Sequence, residues 1–348
     1  MFTVKENLLA MLLVLPFASG CDPADVGADG GSTRSCRDDQ PTLIEFTTET
    51  GTYTIAEVLN GTPPALPSGA VERPVFIDEQ EIFAFERPGS EPAVVLMHGL
   101  PDNTYLYDRL YPELVGRRII AFDFVGWGRS SRPLPGAYPY DFDQQQHEIA
   151  AVLDAFGVDD AVLVAHDTSG PPAIDYTRGH LDRVGRLVLL NTLYGHANGA
   201  LRPPKGVEIH SDPRLEGAEA AMQRDPAAIE AYYRFQMDEF IVAAEAEEQF
   251  VDDLWSLWPQ ARPAFVALTN RLPLEVGTRS PQEAVALAEL TLPVDIVFGV
   301  DDPYLNPAVA EHFADNIPGA SLHLLENAGH FVQVDAPRDV AAVIMADR

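Results

Sequence analysis

The clearest pattern along the chain is an alternation between short apolar runs and longer segments whose apolar residues recur at helical spacing. Ala93–Met97, Arg118–Phe122, Ala161–Ala165, Arg186–Asn191, Val294–Phe298 and Ser321–Leu325 are runs of strand length. Between them, Tyr140–Phe156 and Pro307–Asn316 carry helical periodicity, and Gly157 stops the first. Pro337–Ala346 reads as a closing helix. Strands that are apolar on both faces belong in a parallel sheet covered by helices on both sides, so the pattern predicts an α/β fold. Pro74–Arg87 alternates apolar and polar residues and opens this region. Upstream, TTETGTYTI within Thr42–Asn60 predicts an edge hairpin.

The rhythm breaks from about Tyr194 to Thr278. There the chain is helical, acidic and rich in Tyr, Phe and Trp, as in Pro226–Glu239 and Glu245–Trp258. It resumes at Ser280-Pro281-Gln282-Glu283, which reads as a capping box with Pro at the first helical position. The expected organisation is a core in two parts, residues 42–193 and 280–348, with a helical cap at residues 194–279 inserted after the sixth core strand.

The N-terminus adds a processing signal. Lys5 precedes the apolar run Leu8–Phe17, which is too short to span a bilayer, so residues 1–20 read as a signal peptide. Ala18-Ser19-Gly20-Cys21 resembles a bacterial lipoprotein signal. That resemblance implies cleavage before Cys21, lipidation of Cys21 and residence in the cell envelope. An ordinary secretory signal cut at the same place is the alternative. Residues 21–41 are Gly-, Ser- and Asp-rich and read as a flexible tether. Cys36 is the only other cysteine, and the two could bridge if Cys21 is not acylated. A formal charge of −30 argues against nucleic acid and against an electrostatic hold on anionic membranes, leaving the lipid as the expected membrane contact.

Candidate chemistry sits where the strands end. Ala161–Ala165 runs into His166-Asp167-Thr168-Ser169-Gly170, and Pro171 and Pro172 suit the first turn of a helix. Small residues two places before and after Asp167 (Ala165 and Ser169) meet the steric need of a nucleophile elbow, which puts a carboxylate at the nucleophile position. Asp167 as a plain helix N-cap is the bland reading. Ser169 as nucleophile would put Asp167 and Pro171 where small residues are required. Val294–Phe298 ends at Gly299-Val300-Asp301-Asp302, and the last strand is followed by Ala328-Gly329-His330. The remaining histidines are scattered, without the spacing of a metal site.

The order Asp167, Asp302, His330, together with His98-Gly99-Leu100-Pro101, Tyr105-Leu106-Tyr107, Asp123–Ser130 and Leu189–Thr192, resembles the α/β-hydrolases from Pro74 to Arg348. Within that fold it is similar to the branch with an aspartate nucleophile, the haloalkane dehalogenases and epoxide hydrolases. The resemblance implies attack by Asp167 on a saturated carbon, and then hydrolysis of the ester by water activated by His330. It calls for an acid that orients His330, and the Gly-x-x-Asp spacing from Gly299 favours Asp302, with Asp301 as runner-up. It also puts the oxyanion against the backbone N–H groups of Leu100 and Thr168. Neither cofactor nor metal is implied; the expected partners are a small apolar substrate and water.

Overall likeness leans to carbon–halogen cleavage. Dehalogenases, however, typically place Trp after the nucleophile and often Asn after His-Gly, where this chain has Thr168 and Leu100. Asn103, Trp255 and Trp258 are the candidate substitutes. Epoxide opening instead calls for cap tyrosines as acids. Tyr232 and Tyr233 are candidates in the insertion, with Tyr176 and Tyr194 outside it. Neighbours on a helix point about 100° apart, so at most one of Tyr232 and Tyr233 faces the pocket. A lipid-tethered binding protein without turnover is the reading from another class.

Overall fold

A computed structural model describes residues 41–59, 61–195, 220–243 and 247–346. The signal peptide, Cys21 and almost all of the tether lie outside the described residues, as do 196–219 and 244–246 of the expected cap.

Twelve strands are present among the described residues: β1 (Leu43–Thr48), β2 (Gly51–Ala56), β3 (Val71–Glu72), β4 (Val75–Ile77), β5 (Gln80–Ile82), β6 (Ala84–Arg87), β7 (Ser90–Met97), β8 (Arg117–Phe122), β9 (Ala161–Asp167), β10 (Val184–Thr192), β11 (Val294–Gly299) and β12 (Ser321–Leu325). Eight of them form one sheet in the order β12-β11-β10-β9-β7-β8-β6-β3. The six from β12 to β8 are parallel, and β6 and β3 are added antiparallel. β9 lies between β7 and β10 and is buried along its whole length, as its apolar sequence requires. Each Val or Leu buried there contributes roughly 1.5–3 kcal/mol. The strands that end at Met97, Asp167, Thr192 and Gly299 run the same way, so their carboxyl ends share one edge, where open α/β sheets build their sites.

Helices α1 (Phe142–Phe156) and α2 (Gly170–Gly179) flank the sheet. The Asp141 carboxylate caps α1 by accepting from the Gln144 N–H, and Gly157 ends it in the left-handed region at φ 62°. Between β10 and β11, hence after the sixth strand of the main sheet, come α3 (Pro226–Phe240), α4 (Glu247–Trp255), α5 (Arg262–Arg279) and α6 (Glu283–Ala288). α7 (Pro307–Asn316), α8 (Val332–Asp335) and α9 (Pro337–Met345) complete the core.

Two local expectations are corrected. The β1–β2 hairpin is a two-stranded sheet of its own rather than an edge of the main sheet. It finds partners in the cap instead. The Ala56 N–H donates to the Gln223 carbonyl at 2.8 Å, and the Asn270 amide donates to the Tyr53 hydroxyl at 2.7 Å. The buried Arg262 guanidinium donates to the carbonyls of Ala56 and Gln223. Burial among these neutral oxygens pulls Arg262 down to about 9. The capping box at Ser280 also does not form. α5 runs to Arg279 and passes straight into a 3-10 turn, so Ser280 keeps helical backbone at φ −53°. Its hydroxyl donates back to the Val276 carbonyl at 2.8 Å, while a Glu283 carboxylate oxygen accepts the Gly195 N–H at 3.2 Å.

Candidate active site

Asp167 ends β9 with φ at +50°, in the left-handed region that costs a non-glycine residue on the order of 1–3 kcal/mol. The surroundings hold it there. The Ser169 hydroxyl donates to the carbonyls of Met97 and His166, at 3.0 and 2.8 Å, and accepts the His166 N–H at 2.9 Å. The Thr192 hydroxyl donates to the Asp167 carbonyl. Glycine is required opposite: a Cβ on Gly99 would lie 2.5 Å from that of Asp167. Ser169 is therefore a brace for the turn, with its hydroxyl committed to backbone. The serine-nucleophile alternative is corrected on that ground.

The Asp167 carboxylate accepts the Leu100 N–H on Oδ2 at 2.8 Å and also a bond from the Thr168 N–H. Its Oδ1 lies 3.9 Å from His330 Nε2. On the other side of that ring, His330 Nδ1 stands 2.8 Å from Asp302 Oδ2. Asp302 is itself held on every side. Asn191 Nδ2 donates to its Oδ2 at 2.8 Å, and the N–H groups of Tyr304 and Leu305 donate to its Oδ1 at 2.7 and 3.0 Å. Asn191, at φ +28°, uses its amide oxygen to accept the Gly299 N–H at 2.9 Å, which ties the ends of β10 and β11 to the acid. Asp301 is exposed, whereas Asp302 is buried.

Burial and partners set the charges. Burial alone would raise Asp302, but the His330 ring and the N–H donors outweigh it and hold the carboxyl below its ordinary value. Burial opposes the His330 imidazolium, yet Asp302 first, by charge and hydrogen bond, and then Asp167 raise it to about 9. Asp167 is pushed up by burial, against His330 and the two backbone donors.

The loop carrying His330 is fixed from the cap. The His330 N–H donates to the Phe240 carbonyl at 3.0 Å, and the Phe240 ring lies 4.8 Å from the imidazole. Asp335 collects the N–H groups of Val242, Ala243 and Gly329. His166 Nε2 lies 3.0 Å from the His330 carbonyl, so that nitrogen carries the proton and Nδ1 the lone pair.

The leaving-group candidates separate. Asn103 spends its amide oxygen on the Tyr105 N–H at 2.9 Å, capping the turn at Thr104–Tyr107. Tyr233 packs 5.2 Å from both Trp255 and Trp258, which stack on each other at 5.4 Å. The buried Tyr233 hydroxyl and Trp258 Nε1 have no hydrogen-bond partner among the described residues. Tyr232 is buried beside Tyr304, so the two neighbours do face different ways. Tyr176 stacks on His180, and Tyr194 donates to Asp175, so neither joins this group. Among the described residues no cluster of His, Cys, Asp and Glu is placed to hold a metal ion.

Two residues of this neighbourhood were missed in the sequence. One is Asn191. The other is Asp102, the residue after His-Gly-Leu-Pro. It is 1% exposed, its N–H donates to the Gly99 carbonyl at 3.1 Å, and its Oδ2 lies 4.0 Å from His166 Nδ1. Neither carboxyl oxygen has a hydrogen-bond partner among the described residues. Burial first, and then the charge of Asp167, push this carboxyl well above the usual range, with His330 opposing. The signal available was its place: the loop whose Leu100 N–H grips Asp167 must carry Asp102 to the same edge.

The profile of the α/β hydrolase fold family matches residues 92–337. The chain belongs to the α/β-hydrolase fold family. Among curated members, this α/β-hydrolase is 26% identical over 272 residues to haloalkane dehalogenase 2 of Mycobacterium tuberculosis, covering 74% of this chain and 88% of that one. It is 27% identical over 274 residues to the haloalkane dehalogenase of Mycobacterium marinum, covering 75% and 86%. It is also 22% identical to bifunctional epoxide hydrolase 2 of Sus scrofa over 348 residues, 91% of this chain but 62% of that longer protein. In architecture it is similar to an esterase from Rhodococcus sp. (TM-score 0.65, 22% identity, 79% of this chain and 97% of that one). It is likewise similar to epoxide hydrolase CorEH (TM-score 0.62, 20% identity, 79% and 98%). The structural likenesses establish the α/β-hydrolase fold alone. The loops bearing Asp167, Asp302 and His330 all fall inside the matched segment.

Proposed function

We propose that this hydrolase cleaves a small apolar electrophile at a saturated carbon through an ester on Asp167, with a carbon–halogen bond as the first substrate class by kinship with its dehalogenase relatives. The observation that carries the reading is the placement of His330, with Nδ1 2.8 Å from Asp302 and Nε2 3.9 Å from the side chain of Asp167. A gap of that size in the resting site leaves the imidazole able to reach a water aimed at the Asp167 carboxyl carbon.

In the first step Asp167 Oδ1 forms a bond to the substrate carbon, and the leaving group departs with the electron pair of the broken bond. In the second, water attacks the Asp167 carboxyl carbon and His330 Nε2 takes its proton. The Leu100 and Thr168 N–H groups, already on the carboxylate, hold the oxyanion until the product alcohol leaves. Ester formation also prepares the base. It neutralises the Asp167 charge, one of the carboxylates that keep His330 protonated, so the imidazolium releases its proton at that stage.

A second reading, epoxide opening, is favoured by one observation: the buried polar groups without a hydrogen-bond partner among the described residues include the Asp102 carboxyl and the Tyr233 hydroxyl. The test is to incubate His330→Gln with haloalkane and epoxide panels and to locate any mass adduct by peptide mapping. The expected result is a stalled ester on Asp167, with halide release or diol formation in the wild-type enzyme naming the substrate class. No adduct and no turnover on either panel overturns the reading.

A further inference from the structure

We propose that Asp102 is the acid that protonates the departing oxygen when an epoxide is opened at Asp167. This rests on the aspartyl-ester reading above and takes up its epoxide form.

A buried polar group without a partner costs roughly 1–3 kcal/mol, and native proteins keep few of them. Asp102 keeps two such oxygens at 1% exposure. The groups around it come from both sides of the site: Tyr107, His166, Asp167 and His330 from the core, and Tyr233 from the cap. A partner for His166 is the structural alternative. At 4.0 Å the two are not hydrogen-bonded, and His166 is already oriented by the His330 carbonyl through its other nitrogen. Asp102 thus lies within electrostatic reach of Asp167 and Tyr233 while hydrogen-bonded to neither.

The protonation state fits the task. Burial, and then the charge of Asp167, push the Asp102 carboxyl well above the ordinary carboxylate range and so toward its protonated form, while Asp302 is held below its ordinary value. A halide departs as a stable anion and needs no proton, whereas an alkoxide is too basic to leave unassisted. The step balances. Asp167 Oδ1 bonds to one epoxide carbon, and the carbon–oxygen bond breaks with its electron pair going to oxygen. That oxygen takes the Asp102 proton, leaving a hydroxyalkyl ester and an Asp102 carboxylate. After water cleaves the ester, the proton collected by His330 returns to Asp102 through solvent. The net reaction is epoxide plus water to diol.

The experiment measures ester formation alone, by intact mass in single turnover, in the His330→Gln enzyme. An aliphatic terminal epoxide is compared with a 1-bromoalkane of the same chain length. Adding Asp102→Asn is expected to lower the ratio of epoxide to bromoalkane rates by about 10²-fold or more. Without it, the epoxide rate should fall as pH rises through the Asp102 titration, because the acid must be protonated, while the bromoalkane rate should not share that limb. Equal slowing of both substrates, or of neither, overturns the proposal in favour of a positioning role. Epoxide failure with bromoalkane ester still formed overturns it and leaves the aspartyl-ester reading standing. Failure of both in the parent enzyme removes that reading and this one together. If Asp102→Asn does not fold, Asp102→Glu carries the test: an epoxide rate that retains the alkaline fall supports the proposal, and a pH-independent one overturns it.

Discussion

Asp302 and Asp102 are both buried carboxyls of this site, yet the protein treats them in opposite ways. Asp302 takes four hydrogen bonds, from His330, Asn191, Tyr304 and Leu305, and is held below the ordinary carboxylate value. Asp102 takes none on its carboxyl among the described residues and is pushed well above it by burial. The difference runs through the whole site. On the side of the sheet edge, every group that orients the imidazole is fixed by backbone at the ends of β10 and β11. Toward the cap, Tyr233 and Trp258 pack tightly by their rings but leave their polar atoms unspent. A frame whose hydrogen bonds are complete fixes geometry in advance, while unspent donors meet a substrate, so chemistry and selectivity are divided between the two.

The hardest blow to that division is Asp167→Asn, which keeps the side-chain shape and removes the proposed nucleophile. It should lower kcat by about 10⁴-fold or more and abolish the mass adduct. Retained turnover would mean that the braced turn serves another group. A smaller effect reads the ionised half through stability. The folded-state value of His330, about 9, lies above its unfolded value of 6.5. Its contribution is therefore fully present below about pH 6.5 and is lost as pH rises toward 9, on the order of 3 kcal/mol. Denaturant unfolding at both pH values should show the loss in the wild type and a smaller one in His330→Gln. An equal loss in the two proteins would assign the alkaline destabilisation to other groups. The mildest change is Asn191→Leu, which strips one donor from Asp302 and strands the Gly299 N–H. It should cost roughly 1–3 kcal/mol in kcat, about 5- to 150-fold. The acid limb of the rate profile should move to higher pH while KM holds. A change confined to KM would place Asn191 on the substrate side of the comparison.

Much of the architecture was legible because the parallel strands are apolar on both faces and end abruptly in Gly-, Pro- and Asp-rich turns. Asp167 stood out through the small residues flanking it, and the contact opposite shows how close the turn runs to its neighbour: a Cβ on Gly99 would meet the Asp167 side chain. Asp302 was separable from Asp301 by its spacing from Gly299, whose N–H is bonded to the Asn191 that grips Asp302. Other features were hidden for reasons of context. Ser280 had the residues of a capping box but sits on a helix that does not stop, so local chemistry lost to continuity. The TTETGTYTI hairpin gave no hint that its partners lie some two hundred residues away. Asp102 looked like an ordinary polar loop residue, because burial and the want of a partner are properties of the assembled site. Tyr232 and Tyr233 could be told to diverge, but which one turns inward depends on packing against Trp255 and Trp258.

The hydrogen bond from the His330 amide to the end of α3, with Asp335 clasping Val242, Ala243 and Gly329, has a mechanical consequence. Displacing the cap at residues 240–243 would pull on the main chain of residues 329 and 330, so the position of the imidazole is coupled to the seating of the cap.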